Sequence, residues 1–153
     1  MSWSLRLHNG DLVTSGTSLG QITAGSKLVQ DLRCAILEPR GTDDMHREFG
    51  SVLDGGIMNG VEVPSLIGST NWELVAMRVE AEIRRICADH QAKQIERSRN
   101  DRINYGESTL HPQELLIEVA DIELLEAQDK LMARVTIVTG DNNRRTIEIG
   151  VTE

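Results

Sequence analysis

Apolar residues recur every three or four positions in two stretches of this chain and every second position in its last third. From Ser26 to Leu37, the residues Leu28, Leu32, Ala35 and Ile36 fall on one helical face, with Gln30 and Asp31 opposite, and Gly25-Ser26 offers an N-cap. Proline cannot continue a helix and disfavours helical geometry at the residue before it, so this helix is expected to stop near Leu37, ahead of Glu38-Pro39. A second helix is expected after Thr70 or Asn71, either of which can cap it. Its stripe is Trp72, Val75, Val79, Ile83 and Ile86, with Met77 and Cys87 at the border. The stripe fades past Ala88, and Asp89 to Asp101 is almost wholly polar. The helix is expected to continue for a turn or two, exposed or docked on a partner.

The remaining segments carry β patterns. Ser4-Leu5-Arg6-Leu7 alternates, His8-Asn9-Gly10-Asp11 is a turn signal, Leu12-Val13-Thr14 is a returning strand, and Leu19 to Thr23 extends it. After Gly41 comes a connection punctuated by Gly50, Gly55, Gly56, Gly60 and Gly68, with short helical turns expected at 43–49 and 64–67. The C-terminal third predicts a β-meander. Leu115 to Leu125 is one strand, with a register shift near Ala120-Asp121-Ile122 that implies a bulge. Glu126 to Asp129 turns the chain. Leu131, Ala133, Val135 and Ile137 then alternate with Arg134 and Thr136. Gly140-Asp141-Asn142-Asn143 is a hairpin turn, after which Ile147, Ile149 and Val151 alternate with Thr146 and Glu148. One α+β domain spanning 1–153 follows: two main helices packed on a largely antiparallel sheet with a C-terminal β-meander. The last strand is a candidate sheet edge, which proteins either guard or use to recruit another chain. Arg144 and Arg145 at its start fit either role.

Composition narrows the function classes. Aromatic residues make up 3% of the chain and its net charge is −8, which argues against stacking on single strands and against a general phosphate-backbone binder, so no nucleic-acid partner is expected. No apolar run approaches the roughly 20 residues that span a bilayer, and Met1 to Arg6 lacks the apolar core of a signal peptide. No membrane partner and a cytoplasmic site of synthesis are expected. Cys34 and Cys87 each lie in a helical stretch beside apolar neighbours and read as packed free thiols.

Catalytic patterns are sparse. No two of His8, His46, His90 and His111 have the spacing of a metal pair on one helix, and neither cysteine belongs to a C-x-x-C, so neither metal nor cofactor is expected. The chain has no nucleotide-binding glycine motif and no nucleophile elbow. Glu38 with Asp43 or Asp44 has the composition of a glycosidase carboxylate pair. The preferred alternative makes Asp43-Asp44 a cap for the next turn and Glu38 a salt-bridged side chain, so no enzyme is expected. For Glu38 and Arg40 the residues leave two readings level. They form a local turn paired with Arg33 or Asp44, or a rigid polar element that grips a partner.

The order of these motifs resembles the baseplate wedge, or sheath-initiator, family of contractile phage tails and related injection systems, historically called lysozyme-like. The resemblance is carried by Gly10-Asp11-Leu12, by Gly25-Ser26-Lys27-Leu28-Val29-Gln30-Asp31-Leu32, by Leu37-Glu38-Pro39-Arg40-Gly41, and by Glu48-Phe49-Gly50 followed by Leu53. A long helix and a terminal meander complete it. It implies a virion structural protein of the tail baseplate, assembled in the host cytoplasm, with six copies around the tail axis. Glu38, Pro39 and Arg40 would dock on the wedge proteins. The C-terminal hairpin, with Val135, Ile137, Arg144, Arg145, Ile147, Ile149 and Val151, would face the tail sheath protein and template it by strand addition. The tail tube or hub is a further implied neighbour. The family name also implies a peptidoglycan-cleaving glycosidase, and a related protein acts as a cytoplasmic anti-adaptor. These are the alternatives.

Overall fold

In a computed structural model of the chain, residues 3–8, 11–15, 17–58, 60–65, 71–127 and 130–150 are described. The N-terminal part is a lobe of six short strands: β1 (Trp3–Leu5), β2 (Leu7–His8), β3 (Asp11–Leu12), β4 (Thr14–Ser15), β5 (Ser18–Leu19) and β6 (Gln21–Thr23). They pair antiparallel as β1 with β6, β2 with β3 and β4 with β5. Arg6, Val13 and Gly20 lie between these pairs and close a ring of main-chain hydrogen bonds. Arg6 N–H donates to the Gly20 carbonyl (2.8 Å), Gly20 N–H to Val13 (2.7 Å), and Val13 N–H to Arg6 (3.0 Å). Gln30 of the first helix ties the lobe down, its amide donating to the Leu5 carbonyl and accepting from the Leu7 N–H, both at 2.8 Å. The turn signal at Asn9-Gly10 lies outside the described residues.

Helix α1 (Ala24–Leu37) begins two residues earlier than Gly25-Ser26 predicts. Thr23 is the N-cap, with no side-chain capping bond. Its buried face is Gly25, Leu28, Leu32, Ala35 and Ile36, the predicted stripe extended by one turn. It ends as the proline dictates: Glu38 is extended (φ −71°, ψ 126°), while its N–H still bonds the Cys34 carbonyl.

Strand β7 (Pro39–Arg40) follows directly and pairs parallel with β8 (Ser51–Met58), which pairs antiparallel with β9 (Val61–Val63). The expected turn at Glu38-Pro39-Arg40 is thus a two-residue strand at a sheet edge. That position suits a proline, which has no N–H to give to a ladder. The helical turn expected at 43–49 is a pair of tight turns closed by His46 N–H to Asp43 and Phe49 N–H to His46. The one expected at 64–67 falls largely outside the described residues.

Helix α2 (Trp72–Tyr105) has 34 residues, or about 51 Å at 1.5 Å per residue. Asn71 caps it, accepting from the Leu74 N–H. Val75, Val79, Ile83 and Ile86 are buried as predicted, and Cys87 joins them, whereas Met77 is exposed. The helix continues past Ala88 as expected, but for far more than the expected turn or two. The helix runs to Gly106, a left-handed C-cap (φ 82°) whose N–H bonds the Arg102 carbonyl. Its polar second half is held by polar contacts that hydrophobic periodicity does not register: Gln91 and Gln94 bond the main chain at 114–117, and Asp101 accepts from both the N–H and the hydroxyl of Thr109.

A 3-10 turn (Pro112–Glu114) with a His111/Glu114 capping box leads into the meander. It consists of β10 (Leu116–Ala127), β11 (Lys130–Thr139) and β12 (Arg144–Gly150), antiparallel in that order. The predicted bulge is present between Val119 and Asp121. The predicted hairpin turn is present too, with Asn142 at φ 60° and Asp141 accepting from the Thr139 hydroxyl and the Asn143 N–H. The α+β class is as expected. α1 packs on β12 and α2 on β8 and β10. The shared core unites Leu28, Leu32, Ile36, Val79, Ile83, Val135, Ile137, Ile147 and Ile149, all at most 2% exposed.

Candidate functional site

The segment Glu38–Gly41 is held by its main chain. Ser51 N–H donates to the Glu38 carbonyl (2.7 Å), and the buried Ser51 hydroxyl donates to the Ile36 carbonyl (2.5 Å), one of the acceptors a helix end leaves open. Two glycines permit the close approach of the strands. At Gly50 (φ 95°) a Cβ would overlap the Glu38 carbonyl oxygen, and at Gly56 (φ 139°) it would stand 2.6 Å from the Arg40 carbonyl oxygen. These glycines sit in backbone conformations that other residues rarely adopt. Gly50 follows Phe49, which packs half-buried on the core with Lys93 Nζ 5.9 Å from its ring centroid. The Phe-Gly element is therefore structural, and it fixes β7 from behind.

The side chains are presented differently. Glu38 is exposed and accepts from the Thr42 hydroxyl (3.3 Å), and Pro39 and Arg40 are half-buried. Neither Arg33 nor Asp44 is a partner of Glu38. Asp44 instead lies 3.5 Å from Arg47, and Asp43 accepts from the Met45 N–H and pairs with His46 (3.1 Å). Those hydrogen bonds hold the exposed Asp43 carboxyl below its ordinary range. A cleft of about 430 Å³ opens beside Arg40, lined also by Asp44, Arg47, Glu48 and Ile57.

Behind Arg40 lies a polar cluster that the sequence reading missed. Glu82 is 7% exposed, accepts from the Val52 N–H (3.0 Å) and holds Arg85 through both oxygens (2.7 and 2.9 Å). Arg85 also reaches Asp89 (2.6 Å) and donates to the Gly50 carbonyl (2.9 Å). Burial pushes the Glu82 carboxyl up, but the bonds from Arg85 and Val52 and the charges of Arg85 and Arg40 outweigh it, and the net shift is downward. The signal was available: Glu82 interrupts the apolar face between Val79 and Ile86, with an arginine three positions on.

The strand residues divide sharply. Val135, Ile137, Ile147 and Ile149 point into the core and are at most 1% exposed, so their side chains face no partner in this fold. What β12 offers is its main chain, since it pairs with β11 alone among the described residues. Arg144 is exposed at its start. Arg145 is half-buried, its guanidinium lying over Gly25 of α1, and so is not a free edge side chain. Val151 lies outside the described residues.

Among the described residues no three or more His, Cys, Asp or Glu side chains are grouped to hold a metal ion, and no helix is long and apolar enough to cross a membrane. Both cysteines are free. Burial pushes the Cys87 thiol up to about 11 and, with the charge of Asp31, raises Cys34. A thiol-disulfide reagent at pH 8 is therefore expected to leave Cys87 unreacted in the native protein and to modify it promptly once guanidinium unfolds the chain. A native rate equal to the unfolded one would show that the α2 core opens readily.

Comparison of the chain with protein-family models, with curated proteins and with solved structures returns no match.

Proposed function

We propose that this chain is a structural, non-enzymatic component of a contractile-tail baseplate, which docks on wedge proteins through Glu38, Pro39 and Arg40 and templates the tail sheath by strand addition along β12. The observation that carries the proposal is the clamp on β7. A motif whose order resembles the sheath-initiator family is held at Glu38 and at Arg40 by glycine-permitted main-chain contacts with the β8 segment, which leaves Glu38 exposed and Arg40 beside an open cleft. A main chain already fixed loses little freedom on binding, so it suits a permanent joint. The side of β12 left unpaired among the described residues supports the second half of the reading, because an edge strand offers main-chain donors and acceptors to an incoming strand. In this reading six copies surround the tail axis next to the tube or hub, and the host cytoplasm is where they assemble.

Glu38 gives the glycosidase alternative no support. It is exposed, with the Thr42 hydroxyl as its hydrogen-bond partner, and Asp43 and Asp44 are engaged with His46 and Arg47 instead of facing it as a second carboxylate.

The test is to mix the purified protein with the sheath and wedge proteins of its own genome and look for rings or tubes by electron microscopy, with and without this chain. Newly ordered assembly is expected, together with loss of wedge incorporation by Arg40→Ala at an unchanged melting temperature. No effect of the chain on assembly would remove the initiator role. An Arg40→Ala protein that unfolds would make Arg40 a structural residue instead of a docking one.

A further inference from the structure

We propose that the groove between the second half of α2 and the start of β10 is a docking surface for an acidic amphipathic helix of a partner protein. The groove encloses about 760 Å³, and its apolar wall is Ile95 and Ile103 on the helix with Leu115 and Ile117 on the facing segment. Ile95, Ile103 and Ile117 are 71%, 72% and 52% exposed, an apolar surface of a kind that marks interaction sites. The loop that follows α2 leaves this face uncovered. It returns along the opposite side of the helix, where Thr109 bonds Asp101 and Arg97.

Charge defines the occupant. None of the residues lining the groove is acidic, in a chain with 24 carboxylates and a net charge of −8. The lining carries Arg99 and Arg102 instead. Upstream on the same helix, Arg84 pairs with Glu80, and Arg85 with Glu82 and Asp89. Arg99 and Arg102 make no such pair among the described residues, and both border the apolar cleft. An occupant with carboxylates beside its apolar residues would satisfy them by charge-assisted hydrogen bonds.

The main chain defines the occupant's form. A peptide adding to β10 here would need the free groups of its first residues, and these are taken. Gln94 accepts from the Leu116 N–H (2.9 Å) and donates to the Glu114 carbonyl (2.6 Å), and Gln91 donates to the Ile117 carbonyl (2.5 Å). Strand addition is blocked at this spot, and what remains open is a trough along α2. From Gln91 to Ile103 it spans about 18 Å, room for three turns of a helix laid in the groove. This surface is separate from β7 and β12 and does not depend on the baseplate reading.

The probe is a fluorescein-labelled helical peptide of about four turns, with leucines at i, i+3, i+4 and i+7 and glutamates elsewhere. It is compared with a lysine-for-glutamate and a serine-for-leucine counterpart, and binding to the full chain is followed by anisotropy. The acidic peptide is expected to bind, more weakly as salt rises. Its affinity should fall at least about tenfold for the counterparts, for Arg99→Glu with Arg102→Glu, and for Ile95→Ser with Ile103→Ser. All four positions are exposed, and circular dichroism checks that each variant keeps its fold. Absent binding, equal binding of the acidic and basic peptides, or retained binding by the arginine variant would overturn the proposal. So would a concentration-dependent dimer in sedimentation that Ile95→Ser with Ile103→Ser abolishes, since the groove would then belong to a second copy of the chain.

Discussion

Glu82→Ala is expected to destabilise the protein by about 3–4 kcal/mol, because it strips a half-buried guanidinium of its main partner and leaves a main-chain donor unmet. Glu82 holds Arg85 with both oxygens and takes the Val52 N–H, so its removal disturbs α2 and β8 together. Glu82→Gln keeps an acceptor for Val52 and should cost less, which separates the hydrogen bond from the charge. The pH dependence has a definite sign. The carboxyl is more acidic in the fold than its ordinary 4.5, so its contribution is present in full above that value and is lost as pH falls through the lower folded value. Urea unfolding between pH 7 and 3 should show stability falling on the acid side in the wild type, with a shallower fall in Glu82→Gln. An equal slope in both proteins would mean that Glu82 does not titrate with folding.

Gly56→Ala is expected to cost about 2–4 kcal/mol, from a backbone conformation closed to alanine added to a clash with β7. At φ 139° the position is open to glycine and little else, and the new Cβ would stand 2.6 Å from the Arg40 carbonyl oxygen. Since that obstacle is main chain, it moves only if β7 moves. The functional consequence exceeds the loss of stability: in the baseplate reading, Gly56→Ala should weaken wedge docking even at a temperature where the variant is fully folded. Gly60→Ala is the control. It shares the positive φ (76°) but has no atom within 4 Å of a Cβ, so it should show the smaller, conformational part of the effect alone. Comparable melting temperatures for the two variants would show that β7 is not clamped.

The core was legible from spacing. The stripes Leu28 to Ile36 and Val75 to Ile86, and the alternation through Val135, Ile137, Ile147 and Ile149, are direct records of which atoms leave water, and all of them are buried. The hairpin turn and the bulge were legible because glycine, asparagine and a slipped alternation have specific backbone causes. What stayed hidden was set by partners distant in sequence. Glu38-Pro39-Arg40 reads locally as a turn, and only its parallel pairing with Ser51 and Gly56 makes it a strand. The second half of α2 has no apolar stripe to read, since amide and carboxylate side chains do the holding there. The inward direction of the β12 isoleucines was legible from the alternation itself. Assigning them to a partner followed from the resemblance, and their burial moves any such contact to the main chain.

The ring that joins Arg6, Val13 and Gly20 bears on how this protein tolerates change. All three of its bonds run between main-chain groups, at positions seven residues apart, and the ring closes tightly at Gly20, where a Cβ would stand 3.0 Å from the Val13 carbonyl oxygen. A lobe closed in this way specifies a path for the chain through its backbone. Substitutions at the exposed Arg6 should therefore cost little as long as the backbone still returns to the junction and Gln30 still reaches Leu5 and Leu7, whereas Gly20 is held to glycine by its approach to Val13. The lobe also reaches the docking element, because Arg6, Leu7 and Ile22 line a common cleft with Leu37 and Glu38, so a change in the path of the lobe would be felt at Glu38.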